Sequence, residues 1–353
     1  MFSLSNHRSH ENKLPPLKVE STMVSEVVEV SGEDKYGTPR LPDGGYGWVV
    51  AVAIMVSYAI TWGMLFWDNA QQGLLFGLGL GAGIANAGSG IGGLVLANTT
   101  RILIEHLGLR TSLIINGAIA GAILIPVIFL LRKGPAHADR SSEPLQLRWL
   151  VHPGFVWVCI WGFLAMMAYF LVMYTLASYA TDGIGHSQAE GAALQSLFCA
   201  GLVVGRLGIG SILDLGGRIN TTIILHILAG VSCWALWLPA RSFALLAVFA
   251  IFNGCMGGSL WSTAAPVASR VVGSAHMVSA LTIFWLSVAL PAAVASPCAI
   301  ALLEYSRNAL GKQGADAYAI SIAFGGSLFA LSGLCLYGAK VYVQKSFKIF
   351  QIA

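Results

Sequence analysis

Apolar residues in this chain fall in long blocks separated by short polar stretches. Nine blocks are long enough to span a membrane: 46–67, 73–98, 111–131, 154–177, 187–209, 219–238, 243–265, 277–302 and 318–342. A helix needs roughly 20 apolar residues to cross the hydrocarbon core. An unpaired backbone amide in lipid costs several kcal/mol, so a spanning segment is either a helix or a strand of a closed barrel. Barrel strands alternate apolar and polar residues, and these blocks do not. The fold class that follows is all-α: a polytopic membrane bundle of about nine transmembrane helices.

The longest interruption divides the bundle. Residues 132–152 carry Arg132, Lys133, Arg140 and Arg148 together with Pro135 and Pro144, and read as a central loop. Before it, 45–131 holds three blocks; after it, 153–353 holds six. Residues 1–44 form a polar tail, expected to be disordered. The first apolar block starts near Gly45, too late for a secretory signal peptide, and is expected to act as an uncleaved insertion signal. Trp and Tyr sit near block ends, where interfacial anchors belong: Tyr46, Trp48, Trp62 and Trp67 around the first, Trp149 and Trp157 at the start of the fourth, Trp234 and Trp237 at the end of the sixth.

Composition narrows the function. Charged residues make up 10% and hydrophobic residues 56%, against about 25% charged in a soluble domain. The net charge of +4 comes without a basic stripe interleaved with aromatics, so nucleic acid is not an expected partner; the lipid bilayer is. Cys159, Cys199, Cys233, Cys255, Cys298 and Cys335 all lie inside apolar blocks with no CxxC pair, and read as small core residues rather than metal ligands or disulfides. Gly88-Ser89-Gly90-Ile91-Gly92-Gly93 fits GxGxxG formally, but lacks the preceding strand and following acid of a βαβ unit. Glycines in a membrane helix serve close helix packing instead. The chain has no GxxxxGK[ST] and no His, Cys or carboxylate cluster with catalytic spacing. Neither an ATP-driven pump nor an enzyme is indicated, and no cofactor or metal is expected. His152, His186 and His276 lie near block ends and are expected at the interface.

Two stretches are more specific. Leu41-Pro42-Asp43-Gly44-Gly45-Tyr46-Gly47-Trp48 precedes the first block. Its glycines permit a tight turn, Tyr46 and Trp48 fix the depth of the helix, and Asp43 favours a helix N-terminus. It resembles the entry motif of the monocarboxylate porter family, within the major facilitator superfamily. Gly205-Arg206-Leu207-Gly208-Ile209-Gly210-Ser211-Ile212-Leu213-Asp214-Leu215-Gly216-Gly217-Arg218 matches that superfamily's GRxxxGxxxDxxGR loop signature at every fixed position. Weaker echoes are Ala87-Gly88-Ser89-Gly90, similar to the AGS element of the fifth helix, Gly108-Leu109-Arg110 at the start of the sixth, and the Pro-rich run from Pro291 to Leu303, similar to the eleventh.

The resemblance implies alternating access around a site near the midplane. The solute would be a small organic molecule such as a monocarboxylate or a secondary metabolite, with or without a coupled proton, crossing what is expected to be the plasma membrane. Asp214 would take part in gating with Gly205, Gly210, Gly217 and Arg218. Arg206 would either hold a substrate carboxylate or pair with Asp214 within the signature. Phe66 stands where animal monocarboxylate carriers have a lysine, and Leu202 where they have an aspartate, which implies a chemistry broader than lactate.

The family has two halves of six spans. Trp48 and Ala87 are separated here by too little chain for the roughly three helices that would fall between them, so the N-terminal half is expected to be incomplete. Three spans also place the tail and the central loop on opposite faces, whereas the positive-inside rule would put Arg8, Lys13, Lys18, Lys35 and Arg40 of a cytoplasmic tail on the same face as the central loop. A second reading therefore stands beside the carrier: a truncated, non-transporting membrane remnant with a scaffold or regulatory role.

Overall fold

The computed structural model describes residues 78–130, 147–273 and 276–344. All belong to one compact unit. Every regular element among the described residues is helical: α1 (Leu78–Leu130), α2 (Pro153–Ser178), α3 (Gln188–Gly216), α4 (Arg218–Ser232), α5 (Phe243–Gly257), α6 (Leu260–Val272), α7 (Met277–Asn308), α8 (Gly314–Ala317) and α9 (Ala319–Gln344). Seven stretches among them are long and apolar enough to cross a bilayer. Six of these, from Pro153–Ile184 to Ala319–Val343, correspond one for one to the six blocks expected after the central loop. The first block, 46–67, and the entry motif Asp43 to Trp48 lie outside the described residues.

The blocks at 73–98 and 111–131 form two helical arms that meet directly at a sharp kink, with no long loop between them. They run together as α1, a 53-residue helical path broken at Gly108 (φ 75°, ψ 167°), a conformation readily open only to glycine. In the polar stretch between the blocks, Arg101 and Glu105, one helical turn apart, pair at 2.6 Å on one face.

Local signals set the ends of the other helices. His152 caps α2, its Nδ1 accepting from the Phe155 amide at 3.3 Å, with Pro153 in the first turn. Ser187 and Glu190 form a reciprocal capping box at the start of α3. Gly217 (φ 86°) alone separates α3 from α4. The α5 and α6 segments make one crossing, Phe243–Val272, bent near Gly258.

Lipid tails are as apolar as leucine, so helix association in a bilayer depends on close packing and hydrogen bonds. The α3–α5 contact shows how. Gly201 and Gly205 face Gly254 and Gly258, a GxxxG spacing on each helix. A Cβ on Gly201 would strike the Ile251 carbonyl, on Gly205 the Cys255 carbonyl and on Gly254 the Phe198 carbonyl. Asn253 reinforces the junction between α4 and α5, its amide donating to the Ala229 carbonyl at 3.1 Å and to Ser232 Oγ at 2.9 Å. On the other side of the bundle, a Cβ at Gly230 of α4 or Gly326 of α9 would likewise meet the facing helix.

Two tryptophans expected at the interface are core residues. Trp149 is buried against His152, Phe155 and His276. Trp237 is fully buried and stacks on Phe249 at 4.9 Å. Trp157 and Trp234 are exposed to the bundle surface, as anchors should be. The block ends alone do not separate the two kinds, because a helix end facing a neighbour and one facing lipid have the same sequence position.

Overpacking a tight site costs about 1–3 kcal/mol, occasionally more. Gly254→Val should therefore lower the thermal midpoint sharply or abolish folded yield, measured by thermal size-exclusion in detergent. Gly208→Val, on the same bundle where a Cβ meets open space, should leave the midpoint within about a degree or two of the native value.

Candidate functional site

The site forms where α1 crosses α3. The two helices run antiparallel: Asn86 and Ser89 of α1 lie opposite Arg206 of α3, and Gly93 lies opposite Cys199. The glycine-rich stretch that fits GxGxxG is thus a packing surface. A Cβ at Gly90 would press on Val203 and the Cys199 carbonyl, and one at Gly93 on Cys199 Sγ.

Arg206 is 1% exposed. Its guanidinium donates to the Asn86 carbonyl at 2.6 Å and to Ser89 Oγ, and it interacts with the Tyr169 hydroxyl of α2. Asn86 in turn donates through its amide to the Trp261 carbonyl of α6 at 3.1 Å. Trp261 stacks on Trp285 of α7 at 5.2 Å. One buried cation thus joins α1 and α3 directly, and α6 through Asn86.

Above this group lies a cavity of about 1040 Å³ between α1, α2 and α3. Ser89, Gly93, Tyr169, Cys199 and Leu202 line its floor; Arg101, Glu105, Asp182 and Gln188 line its mouth. Because α3 begins at Gln188 and ends at Gly216, the mouth lies toward the face where α3 starts. The floor lies toward the face bearing the loop signature.

The signature residues divide into two groups. Arg206 lies inside α3, about 12 Å before Asp214 along the helix, with its guanidinium on α1. Gly205 abuts Cys255 of α5. At the helix end, Gly217 makes the one-residue joint between α3 and α4. Arg218 donates to Ser269 Oγ of α6 at 3.2 Å, and Ser269 donates to the Pro266 carbonyl at 2.9 Å. The side chain of Asp214 and the surroundings of Gly210 lie outside the described residues.

Asn86, Tyr169 and the buried Lys340 went unnoticed in the sequence, as did His226, buried between Trp161 and Phe329 with its Nδ1 on the Thr222 carbonyl at 2.9 Å. Asn86 had a readable signal: an amide three residues before Ser89, on one helix face inside a glycine-rich apolar block.

The described residues thus form a bundle of spanning helices with a cavity between α1, α2 and α3, a buried cation beneath its floor and a loop signature at a helix joint. The description of the Major Facilitator Superfamily matches residues 76–296, and the chain belongs to that superfamily, a family of transporters rather than enzymes. It is 28% identical over 269 residues to the probable transporter MCH2 of Saccharomyces cerevisiae, covering 75% of this chain and 55% of that protein. It is 27% identical over 313 residues to monocarboxylate transporter 12-B of Danio rerio, covering 71% of this chain and 64% of that one. The chain spans about half the length of MCH2. Among solved structures it is similar to the E. coli fucose:proton symporter FucP, with a TM-score of 0.52 and 12% identity over 82% of this chain and 83% of that one, a likeness of fold. The all-α, major-facilitator-like architecture and the monocarboxylate-type relatives expected from the sequence are therefore established.

The Arg218–Ser269 contact ties the α3–α4 joint to α6. A double-mutant cycle of Arg218→Ala and Ser269→Ala, read as thermal stability in detergent, should give a coupling of about 0.5–1.5 kcal/mol. A coupling indistinguishable from zero would remove this bond from the account of the loop.

Proposed function

We propose that the chain carries a small organic solute bearing a carboxylate across a membrane by alternating access, with Arg206 as the group that recognises the anion. The observation behind this reading is the position of Arg206: a permanently charged guanidinium, 1% exposed, directly beneath the floor of a cavity between α1, α2 and α3. A buried charge in a membrane bundle is costly. An arginine fork suits bidentate binding of a carboxylate. The cavity wall contributed by Gly93, Met173, Cys199 and Leu202 is apolar, which favours a solute with an apolar body and one anionic end, such as a monocarboxylate or an acidic secondary metabolite. Relatives named as monocarboxylate transporters support that class. The plasma membrane is the site of action we favour.

The remnant reading is favoured by a separate observation. In Thr99–Pro126, which includes much of the α1 arm beyond Gly108, only 6% of the most apolar stretch is buried, against 61% for Pro153–Ile184. A complete carrier would have a second half against that arm.

The test is uptake of radiolabelled organic acids of graded length into proteoliposomes, with binding measured in parallel by tryptophan emission. Arg206→Ala should lower kcat/KM by at least about 30-fold, the loss associated with truncating a buried charge's partner, and Arg206→Lys should recover part of it. Uptake unchanged in Arg206→Ala would overturn the assignment. Binding without uptake by the native chain would favour the remnant.

A further inference from the structure

We propose that the groove between α2 and α7 seats one anionic phospholipid, with its headgroup phosphate on Arg148 and one acyl chain between the two helices.

The groove runs inward from the start of α2. Its volume is about 280 Å³, and Phe155, Cys159, Ile160 and Phe163 of α2 line it with Ser287 of α7. The two helices begin at the same face, because Trp149, just before α2, packs on His276, the residue before α7. From Phe155, two residues inside α2, to Leu164 at the far end of the groove, the helix rises about 14 Å. Half of a hydrocarbon core of about 30 Å is about 15 Å. The groove therefore starts beneath the headgroups and stops near the midplane, which is the reach of an acyl chain from one leaflet. Its lining suits such a chain, since the Ser287 hydroxyl is already engaged by the Phe284 carbonyl at 2.7 Å. Beside it, Leu286 and Leu290 of α7 are 74% and 63% exposed, so this side of the bundle is open to the bilayer.

The headgroup end carries the charge. Arg148 is exposed, and its guanidinium lies over the Trp149 ring at 5.5 Å. Trp149 in turn meets Phe155, at the head of the groove, at 6.5 Å. Among the described residues Arg148 forms no ion pair. The stretch to which it belongs, 132–152, holds four basic residues against Asp139 and Glu143. The positive-inside rule places such a stretch at the cytoplasmic leaflet, the one that carries anionic lipids. A guanidinium fork matches the oxygens of a phosphate. A neutral lipid would use the groove alone, and a soluble anion would use Arg148 alone. A lipid with a negative headgroup uses both, and the Trp149 ring spans the distance between them.

The full chain is reconstituted in phosphatidylcholine vesicles containing a small fraction of a photoactivatable lipid, with a diazirine in the middle of one acyl chain. The probe is phosphatidylglycerol in one preparation and phosphatidylcholine in the other, at equal mole fraction. Cross-links are mapped by peptide mass spectrometry and normalised to 224–231 of α4, where Ile224, Leu228 and Val231 are exposed. Phosphatidylglycerol should label 155–164 and 284–290 about five-fold more than phosphatidylcholine does, the size associated with one basic residue at an anionic surface. Arg148→Gln should bring the two probes to parity, and Arg148→Lys should keep most of the preference. Ile160→Trp, which fills the groove and leaves the headgroup end intact, should remove labelling of 155–164 by both probes.

Equal labelling by the two probes in the native chain, or a preference that survives Arg148→Gln, would overturn the anionic site. Labelling of neither segment by either probe would mean that protein covers the groove, either residues 46–67 or a second copy, and would overturn a lipid as its occupant.

Discussion

A guanidinium that cannot lose its proton has to keep acceptors around it wherever it is buried, and in this bundle that requirement determines how α1 meets α3. Arginine stays charged under any physiological condition, and water is scarce at this depth. Two of its acceptors come from the neighbouring helix: a main-chain carbonyl at Asn86 and a hydroxyl at Ser89. Supplying them fixes the register of α1 along α3, because a slide of one turn, about 5.4 Å, would leave the cation without them. The floor of the cavity and the direction in which it opens follow from that register.

Close approach is the other half of the same constraint. Arg206 can reach α1 because α1 presents glycine at positions 90 and 93, and α3 is held in place from behind by Gly201 and Gly205 against Gly254 and Gly258. The helix that carries the cation is thus flattened on two sides, toward α1 and toward α5. Its ends are fixed by different chemistry: a capping box at Ser187 and Glu190, and a single glycine joint at Gly217. The glycines of the loop signature do two separate things. Gly205 permits packing, and Gly217 permits a backbone turn that a side chain would strain.

The architecture after residue 153 was legible because its apolar blocks match the hydrocarbon thickness, and that length rule does not depend on neighbours. Arg206 was legible as a functional residue because a charge inside an apolar block stands out. Its partners were not. Sequence left open whether it pairs within the signature or holds a solute, and the contact to α1 depends on an antiparallel crossing that no local pattern specifies. Trp149 and Trp237 were misplaced for a related reason: sequence position gives depth along the helix but not the direction around it. The polar stretch from Asn98 to Arg110 suggested a loop, yet the i, i+4 spacing of Arg101 and Glu105 was already a helical signal. Asn253 and His226 are invisible to a hydropathy reading because a lone polar residue barely changes a window average.

The direction of α1 also sharpens the topological conflict that basic residues raised. Ser89 lies opposite Arg206 and Thr100 shares the cavity mouth with Gln188, so α1 starts on the signature face, returns at Gly108, and delivers the chain to that face again before α2. The excess of basic residues in the sequence falls in 132–152, between α1 and α2, and the positive-inside rule would make the face that α1 and α2 share the cytoplasmic one. A span over 46–67 leading into α1 would therefore have to end on the cytoplasmic face and begin outside, carrying Lys13, Lys18, Lys35 and Arg40 with it. Keeping those residues inside requires an even number of crossings before α1, and the one apolar block ahead of it supplies an odd number. The register that Arg206 imposes on α1 turns a question of charge counting into one of parity, which a single determination of where residues 1–44 lie would resolve.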